Sequence, residues 1–125
     1  MTDRSPFVFL YMAEEDLFRL SNSTSSRLDH VREETDGQTY ERNGVKFVRA
    51  TGEGISLLTE ERAARVKRGG WLCSLPARVP MPTDLVLNND RPGHYAVCPD
   101  SDMTIKEYRA LLSRLAGRCE RIEKL

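Results

Sequence analysis

Residues 94–115 read His94-Tyr95-Ala96-Val97-Cys98-Pro99-Asp100-Ser101-Asp102-Met103-Thr104-Ile105-Lys106-Glu107-Tyr108-Arg109-Ala110-Leu111-Leu112-Ser113-Arg114-Leu115. The period of the pattern changes halfway. His94 to Cys98 is a short apolar run of strand formers. Thr104-Ile105-Lys106-Glu107 then fits a capping box, in which Thr104 bonds a free amide ahead and Glu107 reaches back. From there Ile105, Tyr108, Leu111, Leu112, Leu115, Cys119 and Ile122 fall on one face at three- and four-residue spacing. Lys106, Arg109, Arg114, Arg118 and Arg121 lie off that face. The spacing predicts an amphipathic helix over about residues 104–120, packed on a sheet by Ile105, Tyr108, Leu112 and Leu115.

Upstream the elements are short. Asp84 to Asn88 reads as a strand, and Asn89-Asp90-Arg91-Pro92-Gly93 as the loop leading to His94. Pro76, Pro80 and Pro82 make a stiff extended connection that cannot join a central ladder. Trp71 to Leu75 reads as a strand. Thr59-Glu60-Glu61 opens a short helix, with Thr59 as cap, acidic residues at the positive end of the dipole, and Gly69-Gly70 as the stop. Gly54 to Leu58 is another apolar run. Asn43-Gly44 signals a tight turn before a strand at Val45 to Ala50. Ser21 to Ser26 is a polar surface loop, followed by the charged stretch Asp29 to Asp36. Asp16 to Ser21 reads as a strand that can pair with Phe7 to Met12 through a turn at Ala13-Glu14-Glu15; a helix over residues 8–20 fits as well. Strands followed by helices, without strict alternation, predict a single small α+β domain over residues 1–125.

Composition narrows the function classes. The chain has 125 residues, enough for one core and not for two. Hydrophobic residues are 39% and charged residues 30%, as in a globular chain. Nineteen Lys and Arg balance nineteen Asp and Glu, which argues against a dedicated nucleic-acid binder. No apolar run approaches the roughly 20 residues of a membrane span. A single Arg4 precedes the Phe7–Ala13 stretch and acidic residues follow it, so no signal peptide is read and a cytoplasmic location is expected. Cys73, Cys98 and Cys119 are odd in number and carry no paired spacing, which predicts reduced thiols and no metal site.

Three places can carry chemistry. His94 opens an apolar strand after a Pro-Gly turn, where an imidazole can bond a ligand or shuttle a proton; as a surface residue it would merely cap the strand. Arg19 interrupts the apolar Leu17-Phe18-Arg19-Leu20 run, and its guanidinium suits phosphate unless it simply points to solvent. Gly52-Glu53-Gly54-Ile55-Ser56 joins two glycines, which let a ligand approach the backbone, to a hydroxyl suited to a sugar or phosphate. The plainer reading of that segment is a turn before a helix. It is neither a Walker loop nor a dinucleotide fingerprint. No Ser/His/Asp nucleophile signature is present.

Taken in order, these places resemble a known family. The Leu17-Phe18-Arg19 strand, the Gly54-Ile55-Ser56-Leu57 segment, Val79-Pro80 through Leu85, and His94-Tyr95 through Pro99 are followed by the Tyr108 helix. This order is similar to the small ADP-ribosyltransferase-like cytoplasmic toxins of the type VI secretion effector kind. Those proteins have a Leu-Tyr-Arg strand, a Gly-Thr-Ser-Val-Phe segment, an Ile-Pro-Pro-Asp-Leu turn, a His-Tyr-Thr-Ile-Met-Pro strand and a closing amphipathic helix. Ile55 stands where the family has Thr, and the match is densest over residues 79–115. The resemblance implies a split, mostly antiparallel sheet with an NAD-binding cleft between its halves. It implies that Arg19, Ser56 and His94 bind NAD, the substrate, and that Ser56 and His94 are the catalytic pair. Arg19 would face phosphate or ribose, and Ser56 the nicotinamide ribose. The chemistry it implies is loss of nicotinamide through an oxocarbenium-like state, which a carboxylate usually stabilises. No Glu stands at an unmistakable position for that role. Glu53, Glu60, Asp90 and Glu107 are the candidates, and Glu107 is better explained by capping. A cognate immunity or antitoxin protein is the implied partner. The alternatives are a non-catalytic interaction module of the same fold and an unrelated small regulatory domain.

Overall fold

A computed structural model of the chain describes residues 9–21, 31, 37–65, 71–119 and 121–124. Their elements run β1 (Phe9–Leu10), β2 (Leu17–Ser21), β3 (Thr39–Arg42), β4 (Val45–Val48), β5 (Ile55–Thr59), α1 (Glu60–Ala64), β6 (Trp71–Leu75), β7 (Leu85–Arg91), β8 (His94–Pro99), β9 (Met103–Thr104), α2 (Ile105–Ala116) and β10 (Arg121–Lys124). Seven strands form one sheet in the order β1-β7-β8-β5-β2-β6-β10, and β3-β4-β9 form a second. The strand pairings are antiparallel. This is the α+β class that the strand-then-helix pattern predicts. Among the described residues no helix is long and apolar enough to cross a membrane.

The capping box forms as read. Thr104 Oγ1 accepts from the Glu107 amide at 3.0 Å, and Glu107 Oε1 accepts from the Thr104 amide at 3.2 Å. The Thr104 hydroxyl also donates to Glu107 Oε1 at 2.8 Å, and this bond, with the one from the Thr104 amide, holds the Glu107 carboxyl below the usual carboxylate range. Tyr108, Leu112 and Leu115 are buried in one cluster with Leu17, Ile55, Leu57, Leu75, Leu85, Leu87 and Val97 of the large sheet. The helix is shorter than its apolar spacing implies. It ends at Ala116, with Gly117 as C-cap, because glycine extends a helix poorly. Ile122 therefore leaves the helical face and sits in β10, opposite Cys73 of β6. Leu112 is fully buried, so Leu112→Ala should cost about 2–5 kcal/mol in chemical denaturation. A loss under about 0.5 kcal/mol would make the helix peripheral.

The N-terminal hairpin does not form, nor does a helix over the described part of residues 8–20. β1 pairs with Leu87 and Asn88 of β7. β2 is instead paired along its length by β6, and at Leu17 and Phe18 by β5. The intended turn instead runs beside the proline connection. Arg78 N donates to Ala13 O at 2.8 Å, Met81 N to Tyr11 O at 2.7 Å, and Ala77 N to Asp16 Oδ1 at 2.8 Å.

Asn43 and Gly44, with φ of 54° and 78°, form the expected tight turn between β3 and β4. β4 ends at Val48 rather than Ala50. β7 continues to Arg91, so the expected five-residue loop contracts to the Pro92-Gly93 turn. Thr59 caps α1 by accepting from the Arg62 amide, and the helix ends at Ala64. Ser21 closes β2. The rest of that polar run and the Gly69-Gly70 stop lie outside the described residues.

Candidate functional site

The large sheet splits between β2 and β5. These strands pair only at Leu17–Thr59 and Phe18–Leu58. Beyond that point β2 continues along β6 to Ser21, while β5 follows β8 back to Ile55. Arg19 is the first residue of β2 past the last shared pair. Its Nη1 donates across the gap to the Ser56 carbonyl at 3.2 Å. The arginine that interrupts an apolar strand thus spans the seam between the two halves of the sheet.

Alternation along β5 and β8 sets the next contact. Ile55, Leu57 and Val97 face the core shared with α2. Ser56, Leu58, His94 and Ala96 share the opposite face, because Ser56 pairs with Ala96 and Leu58 with His94. Ser56 and His94 are then diagonal neighbours, within reach of a polar side chain. His94 Nε2 lies 3.0 Å from Ser56 Oγ.

A bulge supplies the third member. Asn88 pairs with Ala96 and Arg91 with His94, so two residues of β7, Asn89 and Asp90, oppose Tyr95 alone. Such a bulge re-aims side chains. Asp90 Oδ1 sits 2.6 Å from His94 Nδ1. Asn89 Nδ2 secures the turn by donating to the carbonyls of Arg91 at 3.0 Å and His94 at 2.9 Å. The start of α1 holds it from outside: Thr59 N donates to Gly93 O, and Arg62 Nη1 to Pro92 O.

The three residues singled out in the sequence therefore meet at one place, with Arg19 and His94 both bonded to Ser56. Asp90 joins them. No linear signature announces a Ser/His/Asp chain, yet side chains from β5, β8 and the β7 bulge form one. Its connectivity is that by which a carboxylate orients an imidazole against a hydroxyl. Asp90 was one of four candidate carboxylates, and nothing in its spacing ranks it first, because a bulge is needed to bring it to His94. Of the others, Glu107 is the capping residue, Glu53 is exposed and bonded to Gln38 and Thr51, and Glu60 lies exposed in the first turn of α1.

The reading of Gly54 as room for a ligand is corrected. A Cβ there would lie 2.0 Å from the Val97 carbonyl oxygen and 2.7 Å from the Tyr108 hydroxyl. The glycine admits the protein's own backbone and the Tyr108 anchor. Gly52 is held by Asn88, whose Nδ2 donates to its carbonyl at 2.8 Å. The thiols stay outside the chemistry. Burial pushes Cys98 up to about 12 and also raises Cys73 and Cys119, so all three remain protonated, weak nucleophiles. All three cysteines are free.

Comparison with known proteins adds a family. The profile described as Tse2 ADP-ribosyltransferase toxin matches residues 13–123, which reach from before β2 into β10. No curated protein and no solved structure matches. A match over most of the chain includes the split seam, the β7 bulge and α2, and the chain belongs to the Tse2 ADP-ribosyltransferase toxin family.

Proposed function

We propose that the chain is a toxin that splits NAD at its nicotinamide–ribose bond and transfers the ADP-ribose to a target in the poisoned cell. The observation that carries this reading is the meeting of Arg19, Ser56 and His94 where the sheet splits. A guanidinium at the seam suits the pyrophosphate. A hydroxyl and an imidazole beside it suit the nicotinamide ribose. The C1′–N bond breaks, nicotinamide leaves with the electron pair, and an acceptor attacks the oxocarbenium-like C1′. Site groups that hold the ribose while charge develops favour the transition state over the ground state.

The toxin acts in the cytoplasm after delivery by a type VI secretion system, and a cognate immunity protein protects the producer. Family membership supports these points as expectations for this chain. Inducible expression should arrest growth, and co-expression of the neighbouring reading frame should restore it. Purified protein should release nicotinamide from NAD. Ser56→Ala should lower that rate about 10-fold, the effect of one hydrogen bond of about 1.4 kcal/mol. Growth arrest without NAD consumption would favour the non-catalytic alternative instead.

A further inference from the structure

We propose that Asp90 is a positioning residue: it fixes His94 in the tautomer that carries its proton on Nδ1, and so turns Ser56 Oγ into a pure hydrogen-bond acceptor for a ligand hydroxyl. The assignment of that hydroxyl to a ribose rests on the function proposed above; the tautomer does not.

The argument runs through donors and acceptors. An ionised carboxylate only accepts. With Asp90 Oδ1 2.6 Å from His94 Nδ1, the proton between them belongs to the ring. In a neutral imidazole the other nitrogen is then an acceptor. His94 Nε2 lies 3.0 Å from Ser56 Oγ, and the Ser56 hydroxyl proton is the one that fills this gap. The hydroxyl spends its single proton on His94. Its remaining lone pairs can receive a donor but cannot serve a phosphate oxygen, which also only accepts. The phosphate side of a dinucleotide is left to Arg19. His94 is only 8% exposed, so water is poorly placed to replace either partner.

The bulge is what makes this arrangement specific. Without the extra residue in β7, Asp90 would not sit beside the ring. If Asp90 is removed, nothing holds the proton on Nδ1. An Nε2–H tautomer then donates to Ser56 Oγ, the serine proton swings outward, and the polarity shown to the ligand is reversed.

The test reads the ring directly. Two-bond proton–nitrogen correlation on ¹⁵N-labelled protein at neutral pH distinguishes the two tautomers without any ligand. The chain has two histidines, and His30→Gln assigns the signals. Wild-type His94 should show protonated Nδ1 and bare Nε2. Asp90→Ala should show the reverse, with nicotinamide release reduced about 10- to 100-fold, as for removal of an orienting partner. Asp90→Glu keeps an acceptor-only carboxylate and should restore the wild-type ring pattern with part of the activity. Protonated Nε2 in the wild type, or an unchanged pattern in Asp90→Ala, overturns the proposal. If the tautomers behave as stated but the wild type releases no nicotinamide, the proposed function fails and the role of Asp90 stands.

Discussion

Gly54→Ala should destabilise the protein by about 3 kcal/mol or more, the upper range for a side chain forced into a filled core. The added carbon would lie 2.0 Å from the Val97 carbonyl oxygen, well inside contact distance, and that oxygen belongs to backbone that cannot swing away. Relief requires β5 to move off β8. Two linked bonds suffer if it does. The Tyr108 hydroxyl donates to the Val97 carbonyl and accepts from the Ile55 amide, and both strands meet beside it. Tyr108 is fully buried, so none of these groups has water to turn to. Urea denaturation followed by the fluorescence of Trp71 measures the loss. A cost under about 1 kcal/mol would mean that the two strands separate at this point without penalty.

His94→Ala should lower nicotinamide release by at least about 100-fold, the usual contribution of a positioned acid–base or binding imidazole. The ring is bonded on both sides, to Asp90 and to Ser56. Truncation therefore also leaves two polar groups without their partner, at a stability cost of about 1–3 kcal/mol. Rates must be compared at equal folded concentration, with the melting curve of each variant in hand. Release within about 3-fold of the wild type would reduce His94 to a structural residue that ties the β7–β8 turn to β5.

Local patterns carried much of the fold. Thr104 to Glu107 contains its own start signal, and Asn43-Gly44 its own turn. What escaped the sequence was decided by distant partners. The helical spacing runs on to Ile122, but β6 offers that residue a strand neighbour, and the chain breaks at Gly117 to reach it. Phe9–Leu10 pairs with β7, while the nearer strand β2 is paired along its length by β6 and at its start by β5. In the site, Arg19 and His94 were conspicuous as polar residues in apolar strands. Asp90 was not, since its place depends on one extra residue in a ladder. Gly54 was conspicuous for the wrong reason: a glycine beside a serine looks the same in sequence whether the space serves a ligand or a neighbouring carbonyl.

The split sheet also governs when the site comes into being. Apart from the β7–β8 and β3–β4 hairpins, the neighbours in the sheets are remote in the chain. Arg19 and Ser56 are 37 positions apart, and Ser56 and His94 are 38. Such non-local pairing is slow, roughly milliseconds to seconds, because loop closure must precede the contacts that reward it. The hairpin can bring Asp90 to His94 early. Ser56 and Arg19 join only when β5 and β2 have found their places, and the α2 face that buries β5 is synthesised after all of them. A growing chain on the ribosome therefore carries every reactive side chain well before it carries the site.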